Sequence, residues 1–245
     1  GVLPVFAGTA TRAVEFAEKG DKEYIAGLRL GVVTNTQDSA GEVLEERTVS
    51  VGREELEAVL PRFTGPVEQV PPMFSAIKLN GKKLYELARK GQEVHRDPRP
   101  VTIHALEVLE RSGPDRFLLR VRCSKGTYVR TLCHDIGQAL GCGGCMDQLR
   151  RTMAAGFTLA DAVTLEQVQE RDGALLRPVD SLFGDCPAYH IPNPGQERLC
   201  RNGNPLSAPG LSPGRYRVYG QEGEFLCLSQ WEKGQLRSVK NFFGG

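Results

Sequence analysis

The chain has 245 residues, 40% of them hydrophobic and 25% charged, with a formal net charge of +1. This is the composition of an ordinary globular protein, with enough apolar material for a core that needs no metal or disulfide staple. No run approaches the ~18–20 apolar residues of a membrane span and no signal-type stretch opens the chain, so a cytoplasmic protein is expected.

The chain opens Gly1-Val2-Leu3-Pro4-Val5-Phe6, apolar and without an initiator methionine, and reads as the interior of a longer protein. From Lys22 to Leu30, Tyr24, Ala26, Leu28 and Leu30 recur at every second position, which predicts a strand. Residues 31–41, rich in Thr, Asn, Asp and Gly, read as a loop. Residues 53–63 place Leu56, Val59, Leu60 and Phe63 on one helical face. A proline-punctuated stretch, 66–72, leads into a basic segment in which 83–90 reads as a short helix closed by Gly91.

Residues 101–110 and 116–123 read as an antiparallel hairpin turning at Ser112-Gly113-Pro114-Asp115. A helix is predicted over 127–140, burying Val129, Leu132, Ile136 and Ala139 and stopping at Gly141. Thr164 and Gln167 have capping-box spacing for another short helix. Beyond about residue 178, frequent Pro and Gly between short apolar runs predict a small all-β appendage. The pattern fits an α+β fold with a mixed, mainly antiparallel sheet, not a doubly wound one. No G-x-G-x-x-G and no phosphate-binding loop of the G-x-x-x-x-G-K-[ST] type is present, so no nucleotide cofactor is expected.

Seven cysteines, scattered and odd in number, argue against a secreted disulfide framework. Cys142 and Cys145 form a C-x-x-C, but only His134 lies close by, and a zinc site wants four ligands. Two small residues in a Gly-rich connection is the simpler reading. The four histidines, 95, 104, 134 and 190, show no H-x-x-x-H pairing.

Charge is clustered. Residues 78–99 hold seven Lys/Arg against three Asp/Glu, and residues 116–151 hold seven against two. Clustered cations on a balanced protein suit a polyanion-binding face; the alternative is that the fold disperses them over solvated surface.

Two segments carry candidate chemistry. Cys123-Ser124-Lys125-Gly126-Thr127-Tyr128-Val129-Arg130-Thr131-Leu132 runs from a strand end into a helix, where Gly126 permits a tight turn and free helix N–H groups can face an anion. Arg130 in the first helical turn opposes the helix dipole, which points to a specific acidic partner. Pro71-Pro72-Met73-Phe74-Ser75-Ala76-Ile77-Lys78-Leu79-Asn80-Gly81-Lys82-Lys83-Leu84-Tyr85-Glu86-Leu87-Ala88-Arg89-Lys90-Gly91 interleaves aromatics with cations, the combination that looped RNA requires. A basic helical hairpin with Phe74 and Tyr85 packed inward is the alternative.

Both segments resemble signature stretches of the TruB family of pseudouridine synthases. Gly1-Val2-Leu3-Pro4-Val5 is similar to the tail of the family's G-H-x-G-T-L-D-P-x-A-x-G-V-L-P-V motif. Asp21-Lys22-Glu23-Tyr24, followed by Leu30-Gly31, Thr34, Thr36, Asp38 and Gly41, resembles its K-x-Y strand and T-x-T-x-D-x-x-G loop. Leu149-Arg150-Arg151-Thr152 resembles its L-x-R-T ending. The likeness is continuous to about Val168 and loose beyond it.

The resemblance implies a pseudouridine-synthase fold over 1–177, with an RNA-binding insert at about 66–100 and a small PUA-like β domain over 178–245. It implies isomerisation of the T-loop uridine 55 of tRNA, with no metal or organic cofactor, by a monomer without an obligatory protein partner. Tyr24 maps to the tyrosine that stacks on the flipped base and is a candidate for proton transfer. Arg130 maps to the arginine that pairs with the nucleophilic aspartate, and Tyr128 and Leu149 map to pocket-lining positions. Lys78, Lys82, Lys83, Tyr85, Arg89, Lys125 and Arg151 fall where RNA contacts are expected.

That aspartate belongs a few residues before Gly1, so the chain as it stands is expected to be inactive and the complete protein active. Asp38 and Asp135 match other family positions and read as a loop residue and a helix polar residue. Gly144-Cys145 stands where many relatives carry Ala-His. A noncatalytic RNA-binding protein on the same scaffold is the alternative reading, and a guide-dependent synthase subunit is a third.

Overall fold

The computed structural model describes residues 1–79, 81–171 and 174–244; Asn80 of the basic segment and the final residue of the predicted appendage lie outside them. The chain divides into two compact units, Gly1–Leu3 with Lys19–Asp161, and Pro4–Glu18 with Ala162–Gly245. Helix α1 (Val14–Lys19) comes first and belongs, but for its last residue, to the second.

In the first unit the predicted alternation becomes β1 (Lys22–Leu30), with Ala26, Leu28 and Leu30 at most 1% exposed. The loop expected at 31–41 is in part a strand: β2 (Val32–Thr34) pairs with β3 (Val43–Glu46). Helix α2 (Arg53–Val59) starts where the Glu55 carboxylate accepts the Gly52 N–H at 2.9 Å, and the chain tightens into a 3₁₀ turn at Leu60–Phe63. Strand β4 (Gly65–Gln69) follows, then the small hairpin of β5 (Lys78–Leu79) and β6 (Lys82–Lys83), and α3 (Leu84–Ala88). The predicted hairpin is β7 (Arg99–Arg111) with β8 (Arg116–Cys123), and the predicted long helix is α4 (Val129–Ala139). Strands β9 (Gly144–Ala154) and β10 (Phe157–Thr158) close the unit.

The sheet order is β10-β9-β1-β8-β7-β4, every pairing antiparallel. One face carries Ala26, Leu28 and Leu30 beside Phe117, Leu119 and Val121, covered by Leu56 and Val59 of α2 and by Val129, Leu132 and Ile136 of α4. Each fully buried side chain of this kind contributes roughly 1.5–3 kcal/mol, so this face is the stabilising one. Helix α4 lies close on the turn into β9: a Cβ on Gly137 would stand 2.3 Å from the Gly144 nitrogen. The Gly-rich run at 141–144 is therefore a packing turn into β9; Cys142 is buried in it and Cys145 at the start of the strand.

The opposite face changes the reading of the charge clusters. Arg120 pairs with Glu23 at 3.2 Å and Glu107 at 3.5 Å, Arg122 with Asp21 at 3.7 Å, and Arg116 with Asp147 at 3.6 Å. Three of the cations clustered at 116–151 are thus paired with acids from elsewhere in the sheet.

β4 and β9 are among the strands that were not expected. Pro66 lies inside β4, and proline removes a ladder donor, so the residue type argued against a strand; β4 is an edge strand, where that is tolerated. β9 lacks regular alternation because its register against β1 shifts twice, between Glu23 and Tyr24 and between Gly27 and Leu28.

In the second unit, the capping-box helix forms as α5 (Leu165–Arg171), with the Thr164 N–H bonded to Gln167 at 2.9 Å. The all-β expectation is corrected by α6 (Pro194–Arg201), which the Asn193 carboxamide caps by accepting the Gln196 N–H at 2.9 Å. Strands β11 (Ala188–His190), β12 (Leu206–Ser207), β13 (Gly214–Tyr219), β14 (Phe225–Glu232) and β15 (Gln235–Asn241) form a sheet of order β11-β13-β14-β15-β12. β11 joins β13 in parallel. Ala13 is fully buried in a cluster with Phe183, Leu228 and Phe242, and Phe16 meets Phe183 edge-on at 5.2 Å. Of the apolar start of the chain, Phe6 packs against this cluster, while Leu3 and Val5 stand exposed. Among the described residues, no helix is long and apolar enough to cross a membrane.

Candidate active site

The antiparallel register of β1 and β9 opposes Tyr24 to Arg151 and Ala26 to Leu149. Alternation puts all four on the face that buries Ala26. Tyr24 packs against the core, while Leu149, on the same face, is 45% exposed and offers an apolar surface. The first residues run alongside: Val2 donates its N–H to the Arg151 carbonyl at 2.8 Å, and Arg151 Nε donates to the Val2 carbonyl at 2.6 Å. Burial, chiefly, pushes the Tyr24 phenol above its ordinary pKa, against an opposing hydrogen bond from Arg151. At neutral pH the ring is an uncharged donor and a flat stacking surface.

Lys22, two residues earlier, belongs to the same corner. Its pKa is lowered by burial first and then by the nearby positive charge of Lys125. Arg151 adds to the effect. Three cations drawn together form a local field for a polyanion. The K-x-Y spacing, which in a strand puts both residues on one face, was the signal by which Lys22 could have been chosen.

The first turn of α4 carries the second group. Arg130 Nη1 donates to Asp38 Oδ2 at 3.2 Å, and Nη2 donates to the Phe74 carbonyl. The guanidinium also lies 6.0 Å from the Tyr128 ring centroid. Asp38 is held in turn by the Thr36 hydroxyl at 2.8 Å and the Ala40 N–H at 3.1 Å, both on Oδ1. Asp38 is thus one acidic partner of Arg130, which its reading as a loop residue did not foresee. Asp135 sits further along α4, where burial pushes its carboxyl up to about 6.

The basic segment folds back on itself. Leu84 donates its N–H to the Ile77 carbonyl at 2.8 Å and Tyr85 donates to the Ser75 carbonyl at 3.1 Å. Lys78, Lys82 and Arg89 are exposed, and Leu84 is buried beneath them. The Tyr85 ring is half-buried, with Lys83 Nζ 5.4 Å and Arg89 Cζ 5.3 Å from its centroid. Replacing Lys82 and Lys83 together by alanine is expected to weaken RNA binding and reduce the slope of log affinity against log salt by about 1–2. Titrations from low to moderate salt measure this; an unchanged slope places both lysines outside the interface.

Among the described residues, no group of three or more His, Cys, Asp or Glu is placed to hold a metal ion. Cys145 is fully buried, so its side chain makes no surface for a ligand.

Comparison with known proteins adds to this geometry. The family model for TruB family pseudouridylate synthase, N terminal domain, matches residues 1–129. That for the tRNA pseudouridylate synthase B C-terminal domain matches residues 130–183. A tRNA pseudouridine synthase B of Azoarcus sp. (strain BH72) is 47% identical over 242 residues, spanning 97% of this chain and 79% of that one. Its counterpart from Pseudomonas putida (strain GB-1) is 50% identical over 239 residues, spanning 94% and 78%. The crystal structure of a Cbf5-Nop10-Gar1 complex has a chain that matches with a TM-score of 0.70 at 24% identity, covering 99% of this chain and 73% of that one. At that identity the likeness is one of fold.

Proposed function

The chain belongs to the TruB family of pseudouridylate synthases, and from this premise we propose that it isomerises the T-loop uridine 55 of tRNA to pseudouridine. The bond from the ribose to N1 of uracil breaks, the base turns, and a bond to carbon 5 forms; the carbon 5 proton leaves and N1 gains one. Because the base lies inside a folded loop, it is flipped out to be reached.

The aspartate that the family motif places before Gly1 is the nucleophile of this reading. Arg130 pairs with it and holds it ionised. Tyr24 stacks on the base, with its phenol available as a proton donor, and Tyr128 and Leu149 line the pocket. Lys78, Lys82, Lys83, Tyr85, Arg89, Lys125 and Arg151 hold the RNA, mainly through its backbone. The unit bearing the six-stranded sheet carries the chemistry, and the C-terminal β unit is a PUA-like domain. The protein acts in the cytoplasm as a monomer, without a cofactor or an obligatory protein partner, which its own basic arm supports.

The observation that carries the reading is Arg130, a cation fixed in the first turn of α4, the helix that shares one core cluster with Tyr24. The test uses the intact protein, including the segment before Gly1, and a T-arm hairpin tritiated at uridine carbon 5. Release of tritium with formation of pseudouridine is expected. Tight binding of the hairpin without release would instead establish a noncatalytic RNA-binding protein.

A further inference from the structure

We propose that Gln69 is a positioning residue for Arg130, tying the first turn of α4 to the root of the basic arm; this rests on the reading of the site as a uridine-isomerising centre. Gln69 is the last residue of β4 and is 5% exposed, so its carboxamide must find partners inside the protein. Both lie on one residue. The Tyr128 N–H donates to Gln69 Oε1 at 2.8 Å, and Gln69 Nε2 donates to the Tyr128 carbonyl at 3.0 Å. Two bonds in opposite directions fix the plane of the amide and the backbone of Tyr128 together, as a strand partner would.

Tyr128 is the residue from which α4 departs. No side chain caps the helix at this position, and the Tyr128 carbonyl accepts the first helical N–H, from Leu132 at 3.1 Å. The Gln69 clamp therefore sets where the helix begins and the direction in which Arg130, two residues on, leaves it.

The other side of Gln69 leads to the same guanidinium. After Val70 come Pro71 and Pro72, both buried, whose rings fix φ and make this lead stiff. Phe74 follows, and its carbonyl accepts from Arg130. Gln69, Tyr128, Arg130 and Phe74 thus form a closed circuit in which a shift of the arm and a shift of the arginine are one motion. RNA seated on the exposed lysines of the arm would in this way bear on the residue that faces the reacting centre.

A second amide secures the neighbouring residue of the helix. The Thr131 hydroxyl donates to Gln37 Oε1 at 2.7 Å, and Gln37 is pinned by its own N–H to Thr34 and by its carbonyl to Met146. Asp38, next in the chain, holds the far side of Arg130. With these contacts intact, loss of the Gln69 clamp loosens Arg130 and leaves the helix in place.

The test compares Gln69→Met and Gln69→Glu in the intact protein. Methionine keeps the volume and loses both hydrogen bonds. A glutamate carboxylate keeps an acceptor for the Tyr128 N–H and loses the donor to its carbonyl. Both variants are expected to lower the single-turnover rate of pseudouridine formation by about 10–100-fold, the cost of an ångström-scale misplacement. The tRNA Kd should stay within about threefold, because the phosphate-contacting lysines are untouched. Val67→Ala, which trims the same strand without touching Tyr128, is expected to lower the melting temperature and keep the rate. The Arg130 Nε–H resonance, read by ¹⁵N NMR, should shift or broaden in both Gln69 variants and not in Val67→Ala. A parent-like rate with an unmoved Arg130 resonance would overturn the assignment. If the parent itself makes no pseudouridine, the proposed function falls, and the resonance alone still decides whether Gln69 positions Arg130.

Discussion

Arg130→Ala in the intact protein is expected to lower the single-turnover rate of uridine isomerisation by on the order of 10²–10³-fold, the usual cost of removing one preorganised charge-stabilising donor. Affinity for tRNA should fall by less than about tenfold, since the exposed cations of the arm remain. The difference follows from where the guanidinium is spent. Nη1 donates to Asp38 at 3.2 Å and Nη2 to the Phe74 carbonyl, so the side chain is held in place with little freedom to track a phosphate, and its remaining N–H groups are left for the nucleophile. Arg130→Lys should recover little, because a point ammonium cannot reach two partners in a planar fork. Rapid-quench measurements at saturating enzyme, alongside filter-binding titrations, separate the two quantities. A rate within experimental error of the parent would remove Arg130 from the mechanism and leave it a strut between two loops.

Phe117→Ala is expected to cost about 3–5 kcal/mol of stability, a large part of the roughly 5–15 kcal/mol that holds a domain folded. Phe117 is fully buried at the start of β8, opposite Leu28 of β1 and Arg111 of β7. Truncation there opens a cavity against two central strands and α-helical neighbours that cannot collapse into it. Leu118, the next residue, points to the other face and is only half-buried, so Leu118→Ala should cost less than about 1–2 kcal/mol. Urea denaturation of both variants measures the contrast. Equal costs would mean that the helical face of the sheet is not the principal core.

Much of this fold is local and therefore legible. Alternation announces β1 and the β7–β8 hairpin, because a sheet with one buried face imposes period two on its sequence. The four apolar positions of α4 and the glycine after it mark the helix and its end. The family motifs single out Tyr24, Tyr128, Arg130 and Leu149 without reference to any contact. β4 and β9 escape the same reading. A proline in an edge strand and two register shifts are allowed by neighbours distant in sequence, and neither leaves a periodic trace.

The same limit applies to the site. The sequence by itself determines which residue types are present, the periodicities that form the elements, and a family resemblance strong enough to imply the reaction. It also shows two runs rich in cations. Only the tertiary structure decides which cations meet an acid: Arg116 pairs with Asp147 of β9, Arg120 with Glu23 of β1 and Arg122 with Asp21 just before β1, while Lys78, Lys82 and Arg89 stand exposed on the arm. Only it finds Asp38 as the partner of Arg130, 92 residues away, and Gln69 as the clamp on Tyr128, 59 residues away. The reason is physical. Periodicity records the burial of a residue relative to its own backbone, whereas an ion pair or a buried amide records which distant backbone the sheet register brings beside it.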